Sequence, residues 1–153
     1  SGGEGRSLAN NRADVMIIGN NNSTTLSQEN MLGDTFSNFA DISQIGSGNI
    51  ATVIQNTSTD VLSAEAIISG QNSVILEQDG LNHTATITQT GADNLVSLTQ
   101  KGESHEASIT QTGAGLSAIV TQTGVGDAYS LTQTGCVVGT CQVIVNRYGG
   151  GGR

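Results

Sequence analysis

Apolar and polar residues alternate in short segments that recur about every eleven residues along most of the chain. From Gln78 to Gln133 the motif Gln-x-Gly returns at a spacing of eleven residues throughout. Each Gln is preceded two residues earlier by an aliphatic residue and four residues earlier by Ala, Val or Tyr, as in Ala85-x-Ile87-x-Gln89. Alternate residues share one face of a β-strand, whereas a helix places them on different faces. The pattern therefore predicts an array of short strands, each with one inward face.

The same alternation extends to both sides of this array and predicts twelve strands, with an apolar residue at the central inward position of each. They include a strand at Ala64–Ile68 and a weaker last strand at Cys141–Val145. The third inward positions form pairs at 17/28, 44/55, 68/78, 89/100 and 111/122, with a weaker last pair at 133/145. Spacing is nearly constant within the first five pairs and varies between them. We therefore predict an all-β solenoid of about six strand-turn-strand rungs, built from two stacked parallel sheets.

Stacked rungs place like residues above like, at a separation of about 4.8 Å. The Gln positions then form columns in which each side-chain amide donates a hydrogen bond to the carbonyl of the next, because an unpaired buried amide is costly. The alternative is that Gln faces water. The turns between strands carry Gly, which supplies positive φ, and Asn two residues before the next inward position. The candidate turn glycines are Gly19, Gly46, Gly70, Gly80, Gly91, Gly102, Gly113, Gly124 and Gly135.

Composition narrows the classes of function. Only 12% of residues are charged and the net charge is −8, so the chain has no basic cluster for nucleic acid. No apolar run reaches the length of a membrane span, and we expect no membrane insertion. Pro is absent and Lys101 is the single Lys, so the terminal strands lack the residues that usually block sheet edges. Unblocked edges of a self-similar stack can pair head to tail into a filament with amyloid-like cross-β stacking between subunits.

The repeat Gln44-Ile-Gly46-Ser-Gly-Asn49-Ile-Ala51-Thr-Val-Ile-Gln55 resembles the curlin repeat, and the resemblance covers about residues 11–135. Curlins are subunits of curli, the functional amyloid fibres of bacterial biofilm matrix. The resemblance implies a self-assembling, secreted adhesion protein located in an extracellular fibre at the bacterial cell surface. It implies as partners further copies of the chain, a curli nucleator and a secretion channel. The ladder residues that it implies are Gln28, Gln44, Gln55, Gln78, Gln89, Gln100, Gln111, Gln122, Gln133, Asn22, Asn38, Asn49, Asn72 and Asn94.

The repeat sets the expected organisation of the chain: a flexible Gly-rich segment at 1–10, the solenoid at 11–146 and a Gly-rich tail at 147–153. Because the sequence begins with Ser1, we expect a processed or trimmed chain. Ile17, Ile68 and Val145 stand where the ladder would carry Gln, which leaves open whether the chain is a major subunit or a nucleator.

Several residues allow other interpretations. Thr-x-Thr pairs flank Gln89, Gln111 and Gln133, and this hydroxyl array makes ice binding the alternative function. His83, His105 and Asp127 share one turn column and could bind a metal or sense pH, although we expect them to be solvated replacements of the turn Asn. Cys136 and Cys141 are either a disulfide or free thiols. No nucleophile, phosphate-binding or paired-carboxylate motif is present, so we predict no enzymatic activity, no metal and no cofactor.

Overall fold

A computed structural model describes residues 11–30, 37–57, 71–135 and 141–150 of the 153-residue chain. The regular elements within these ranges are all β-strands. In chain order they are β1 (Arg12–Asn20), β2 (Ser23–Glu29), β3 (Phe39–Ser47), β4 (Ile50–Asn56), β5 (Ser73–Leu81), β6 (Thr84–Ala92), β7 (Leu95–Glu103), β8 (Glu106–Ala114), β9 (Leu116–Val125), β10 (Ala128–Thr134) and β11 (Cys141–Gly149). The expected segment at 1–10, Gly70 and Cys136 lie outside the described residues.

The strands alternate between two parallel sheets as the chain advances. The six-stranded sheet has the order β1-β3-β5-β7-β9-β11, and the five-stranded sheet has the order β2-β4-β6-β8-β10. Every neighbouring pair is parallel and in register, so that Gln44 lies beside Gln78 and Gln55 beside Gln89. The two sheets face each other across a core of inward side chains. The predicted all-β solenoid with two parallel sheets is therefore confirmed.

The assignment of strands to rungs differs from the prediction after residue 55. β3 pairs directly with β5, and β4 with β6, so neither sheet contains an intervening strand for the predicted segment at 64–68, which itself lies outside the described residues. The rungs therefore end at 17/28, 44/55, 78/89, 100/111 and 122/133, which makes five complete rungs and the single strand β11. Spacing within every rung is eleven residues, and all of the irregular spacing falls between rungs. The predicted pairs 17/28 and 44/55 are therefore confirmed, whereas the pairs 68/78, 89/100, 111/122 and 133/145 are wrong.

The register of the last strand is also shifted by two residues from the prediction. Val145 lies beside Val120 in an aliphatic position, and Arg147 lies beside Gln122 in the ladder position. The alternating pattern alone could not distinguish these registers, because both place the same face inward. The strand continues to Gly149, beyond the solenoid boundary expected at residue 146.

The core consists of two inward columns in each sheet, one of small or β-branched residues and one of larger aliphatic residues. Ile42, Leu76 and Leu98 are fully buried in the six-stranded sheet, and Ile87 and Ile109 face them from the five-stranded sheet. Burial is lost at the ends of the stack, where the inward residues of β1 have a neighbouring strand on one side only. Of the eleven large apolar side chains that are exposed among the described residues, six belong to the two terminal strands β1 and β11.

The column of glycines in the six-stranded sheet permits the close stacking of the rungs. Gly80 has a φ of +136°, and a Cβ at this residue would collide with the carbonyl oxygen of Gly102 in the next rung. Gly46 and Gly102 have the same relation to the glycine that follows each of them. A side chain in this column is therefore excluded both by backbone conformation and by space.

Candidate functional site

The glutamine side chains form one continuous ladder of hydrogen bonds in each sheet. In both ladders each Nε2 donates to the Oε1 of the next rung at 2.8–3.0 Å, and the interior members are fully buried. The ladder of the five-stranded sheet runs Gln28, Gln55, Gln89, Gln111, Gln133, and that of the six-stranded sheet runs Gln44, Gln78, Gln100, Gln122. All donors point towards the C-terminal end of the stack, so each ladder has a donor end and an acceptor end.

Each glutamine also ties the two sheets together, which the sequence pattern did not reveal. The second N–H of Gln100 donates to the carbonyl of Thr84 in the opposite sheet at 3.2 Å, and that of Gln111 to the carbonyl of Leu95 at 3.1 Å. Both amide hydrogens and the amide oxygen are thereby satisfied in the interior, as a buried amide requires.

The two ends of the ladder in the six-stranded sheet are closed by other groups. At the first rung Ile17 occupies the ladder position, and Thr24 Oγ1 from the opposite sheet donates to Gln44 Oε1 at 2.8 Å. At the last complete rung Gln122 Nε2 donates to the main-chain carbonyl of Asp127 at 3.0 Å. Arg147 covers this end, with Nε and Nη2 on the Asp127 carboxylate at 2.7–2.9 Å. This ion pair lowers the pKa of the Asp127 carboxyl group.

The ladder in the five-stranded sheet ends differently. Gln133 Nε2 donates to the carbonyls of Ser117 and Cys141, both at 3.3 Å, so both of its amide hydrogens are used. At the other end Gln28 Nε2 donates to Gln55 Oε1 and to the carbonyl of Arg12. Within the described ranges no group donates to Gln28 Oε1, which faces the open end of the stack.

The turn asparagines form two columns, one at each side of the core. Asn22 and Asn49 lie in the turns that follow strands of the six-stranded sheet, and Asn38, Asn72 and Asn94 in those that follow strands of the five-stranded sheet. The side-chain oxygen of one rung accepts the main-chain N–H of the next between Asn22 and Asn49 at 2.9 Å and between Asn72 and Asn94 at 3.3 Å, whereas Asn38 Oδ1 accepts from Thr57 Oγ1 at 2.8 Å. The bonds to main-chain N–H groups satisfy turn amides that belong to no strand.

His83, His105 and Asp127 continue the column of Asn22 and Asn49, but both histidines are buried, contrary to the expectation that they are solvated. Their rings stack with centroids 5.2 Å apart, and His83 Nδ1 accepts the main-chain N–H of His105 at 3.3 Å. His83 Nε2 lies 3.2 Å from the carbonyl of Asp79, which suits a neutral ring protonated at Nε2. Burial lowers the pKa of His83. Across the residues with described positions, no group of three or more metal-binding side chains occurs.

The threonine array and the cysteines complete the set of candidates. Thr88, Thr110 and Thr132 lie side by side on the outer face of the five-stranded sheet, but the neighbouring strand carries Ile54 at this position. The hydroxyl array is thus confined to three strands, and no finding favours ice binding. Cys141 is disulfide-bonded, and Cys136 is the only other cysteine of the sequence.

The described strands form a repeat-built β-solenoid with self-paired amide columns, in which no further described strand covers the edges at either end. Residues 91–124, which include β7, β8 and most of β9, match the family model of the curlin associated repeat. This match supports the resemblance to curlins. No curated protein matches the chain. No helix in the described portion is long and apolar enough to cross a membrane.

Proposed function

We propose that this chain is a structural subunit that assembles head to tail into an extracellular, curli-like amyloid fibre of a bacterial biofilm matrix, with a role in adhesion and surface colonisation. The observation that carries the proposal is the state of the two ends of the solenoid. Among the described strands, β1 and β11 form the two edges of the six-stranded sheet and β2 and β10 those of the five-stranded sheet, and each of the four has a partner on one side only. Such edges are templates for pairing with another chain.

Exposed apolar surface at these ends supports the proposal. Val15 and Ile17 point inward, in line with buried core columns, yet each is nearly half exposed because β1 has β3 on one side and no described strand on the other. A further strand laid on β1 would bury both side chains and pair the free backbone groups of the edge. Charges on β1 are confined to Arg12 and Asp14, which pair with each other at 2.7 Å.

The match to the curlin associated repeat supports the fibre as the product of assembly and the cell surface as its location. On the same basis we propose a fibre nucleator and an outer-membrane secretion channel as partners. Structural assembly accounts for the repeated geometry of the columns, since their polar groups are used in pairing rungs.

The test is fibre formation by the purified chain at neutral pH, followed by negative-stain microscopy and by fluorescence of an amyloid-binding dye. We expect long, unbranched fibres with a cross-β diffraction spacing of about 4.8 Å. Val15→Pro should slow elongation strongly, because Pro cannot donate to a sheet ladder, whereas the matched control Val15→Ala keeps its N–H and should elongate. Persistent monomers of the unmodified chain would refute the proposal.

A further inference from the structure

We infer that successive copies in the fibre are related by half a turn about its axis, so that the two sheets exchange places from one subunit to the next. In this arrangement β10 of one copy pairs with β1 of the next, and β11 pairs with β2. The inference rests on the proposed function, since it specifies the contact by which the subunits assemble.

The number of strands in the described part of the chain supplies the first argument. The six-stranded sheet ends in β11, but the five-stranded sheet ends one level earlier in β10. The chain reverses direction at each turn between the sheets, so the strands of the two sheets run in opposite directions. A half turn about the fibre axis exchanges both the position and the direction of the strands. It therefore brings β1 of the next copy into the level beside β11 as a parallel neighbour of β10.

Stacking without rotation leaves a defect. If β1 of the next copy were placed on β11, then β2 of that copy would lie two levels from β10. The five-stranded sheet would contain a gap of one strand, and the backbone groups of β10 and β2 would face each other across about 9.6 Å, twice the strand separation. Unpaired backbone groups on both sides of such a gap are costly, whereas the half-turn arrangement has none.

The polar groups at the two ends supply a second, independent argument. Gln133 has both amide hydrogens bonded, so its neighbour in the next copy need not accept a hydrogen bond. The half-turn arrangement places Ile17 there, an apolar residue that offers no acceptor. In the same arrangement Arg147 lies beside Gln28, whose Oε1 faces the open end without a donor in the described structure.

Arg147 can serve this acceptor without losing its existing bonds. Its Nε and Nη2 are engaged with Asp127, and Nη1 makes no hydrogen bond within the ranges described. A guanidinium group carries five N–H donors, so the two on Nη1 remain for Gln28 Oε1 of the next copy. Stacking without rotation would instead place the charged Arg147 beside Ile17. The two residues that depart from Gln at the ladder ends are therefore complementary to their neighbours only after a half turn.

Helical reconstruction of the fibre by cryo-electron microscopy distinguishes the arrangements directly. Eleven strands in two sheets correspond to five and a half levels, so we expect a rise of about 26 Å per subunit with a rotation near half a turn, adjusted by the sheet twist. A rise of about 29 Å with only the twist as rotation would overturn the inference and leave the proposed function intact. Failure of the chain to form fibres would refute both.

Paired cysteine variants give a second measurement on the same fibres. In the half-turn arrangement Met16 of one copy lies beside Thr132 of another, whereas unrotated stacking places Met16 beside Asn146. All three side chains are exposed, so the variants are matched. We expect oxidised fibres of Met16→Cys/Thr132→Cys to yield covalent multimers and those of Met16→Cys/Asn146→Cys to remain monomeric in denaturing gels. The reverse outcome would overturn the inference.

Discussion

Removal of one interior ladder amide should destabilise the solenoid by a large part of its total stability. Gln100 is fully buried, accepts from Gln78 Nε2 at 2.9 Å and donates to Gln122 Oε1 at 2.9 Å. Gln100→Ala would leave the Gln78 Nε2 donor and the Gln122 Oε1 acceptor unpaired and would also remove the bond to the Thr84 carbonyl. At about 1–3 kcal/mol for each unsatisfied group, the loss is about 4 kcal/mol, before any cavity cost. Domains of this kind have only about 5–15 kcal/mol of stability.

Equilibrium unfolding of the dilute, monomeric chain in urea, followed by circular dichroism, measures this loss. With a denaturant slope of about 2 kcal/mol per molar, the midpoint should fall by about 2 M. Gln100→Leu, which nearly preserves volume, separates the lost hydrogen bonds from the cavity and should retain most of the effect. The matched control is Thr99→Ala on the outer face of the same strand, which should change the free energy of unfolding by about 0.5 kcal/mol or less. Equal midpoints for the Gln100→Ala and Thr99→Ala variants would refute the ladder as a source of stability.

Three further predictions concern the glycine column and the titratable groups of the turns. Gly80→Ala should lower the free energy of unfolding by more than about 2 kcal/mol, because it adds a collision with Gly102 to an unfavourable φ. The matched control Gly115→Ala has open space around the new methyl group and should lower the free energy of unfolding by about 1 kcal/mol. Thermal melting of both variants tests this difference. Because burial lowers the pKa of His83 in the folded state, the contribution of this group to stability should be full above pH 6.5 and fall as the pH drops below it. His83→Asn, which restores the residue type of that column, should flatten this part of the plot of unfolding free energy against pH. An unchanged slope would contradict the assignment of this pH dependence to His83. Arg147 lowers the pKa of Asp127, so the ion pair contributes its full stabilisation above about pH 3.8 and progressively less as the pH falls below this value. Arg147→Ala should remove this pH dependence of the unfolding free energy, measured by urea titrations at about pH 2–5.

The fold was predictable because its signal is both local and repeated. A period of two in each segment and a period of eleven between segments leave a stack of short strands as the one regular structure that buries every inward position. The amide columns follow from the same periodicity, since Gln recurs in phase with Ile87 and Ile109, which are buried. In a solenoid of this kind, the position of a residue in the repeat therefore largely predicts whether its side chain is buried in the core.

The predicted rung assignment is wrong after residue 55, because neither sheet has a strand between those of the second rung and β5 and β6. Ala64-x-Ala66-x-Ile68 has the required alternation, but alternation in three positions is weak evidence for a strand. A strand at this position would place every later strand in the sheet opposite to the one observed. The spacing along the sequence favours the observed rungs, because eleven residues separate the ladder positions of the two strands in every rung when the segment at 64–68 is not counted.

The sequence by itself determined the strand period, the inward residues, the columns of like side chains and the absence of the residues that block edges. Only the tertiary structure decided which sheet each strand joins, because both sheets use the same pattern and a strand fits either. It also decided that His83 and His105 are buried, that Arg147 occupies the last ladder position, and that the described strands end in half a rung. These features depend on the neighbours that each strand meets in the next level, 22 or more residues away along the chain in the paired registers. Local alternation carries no information about those contacts.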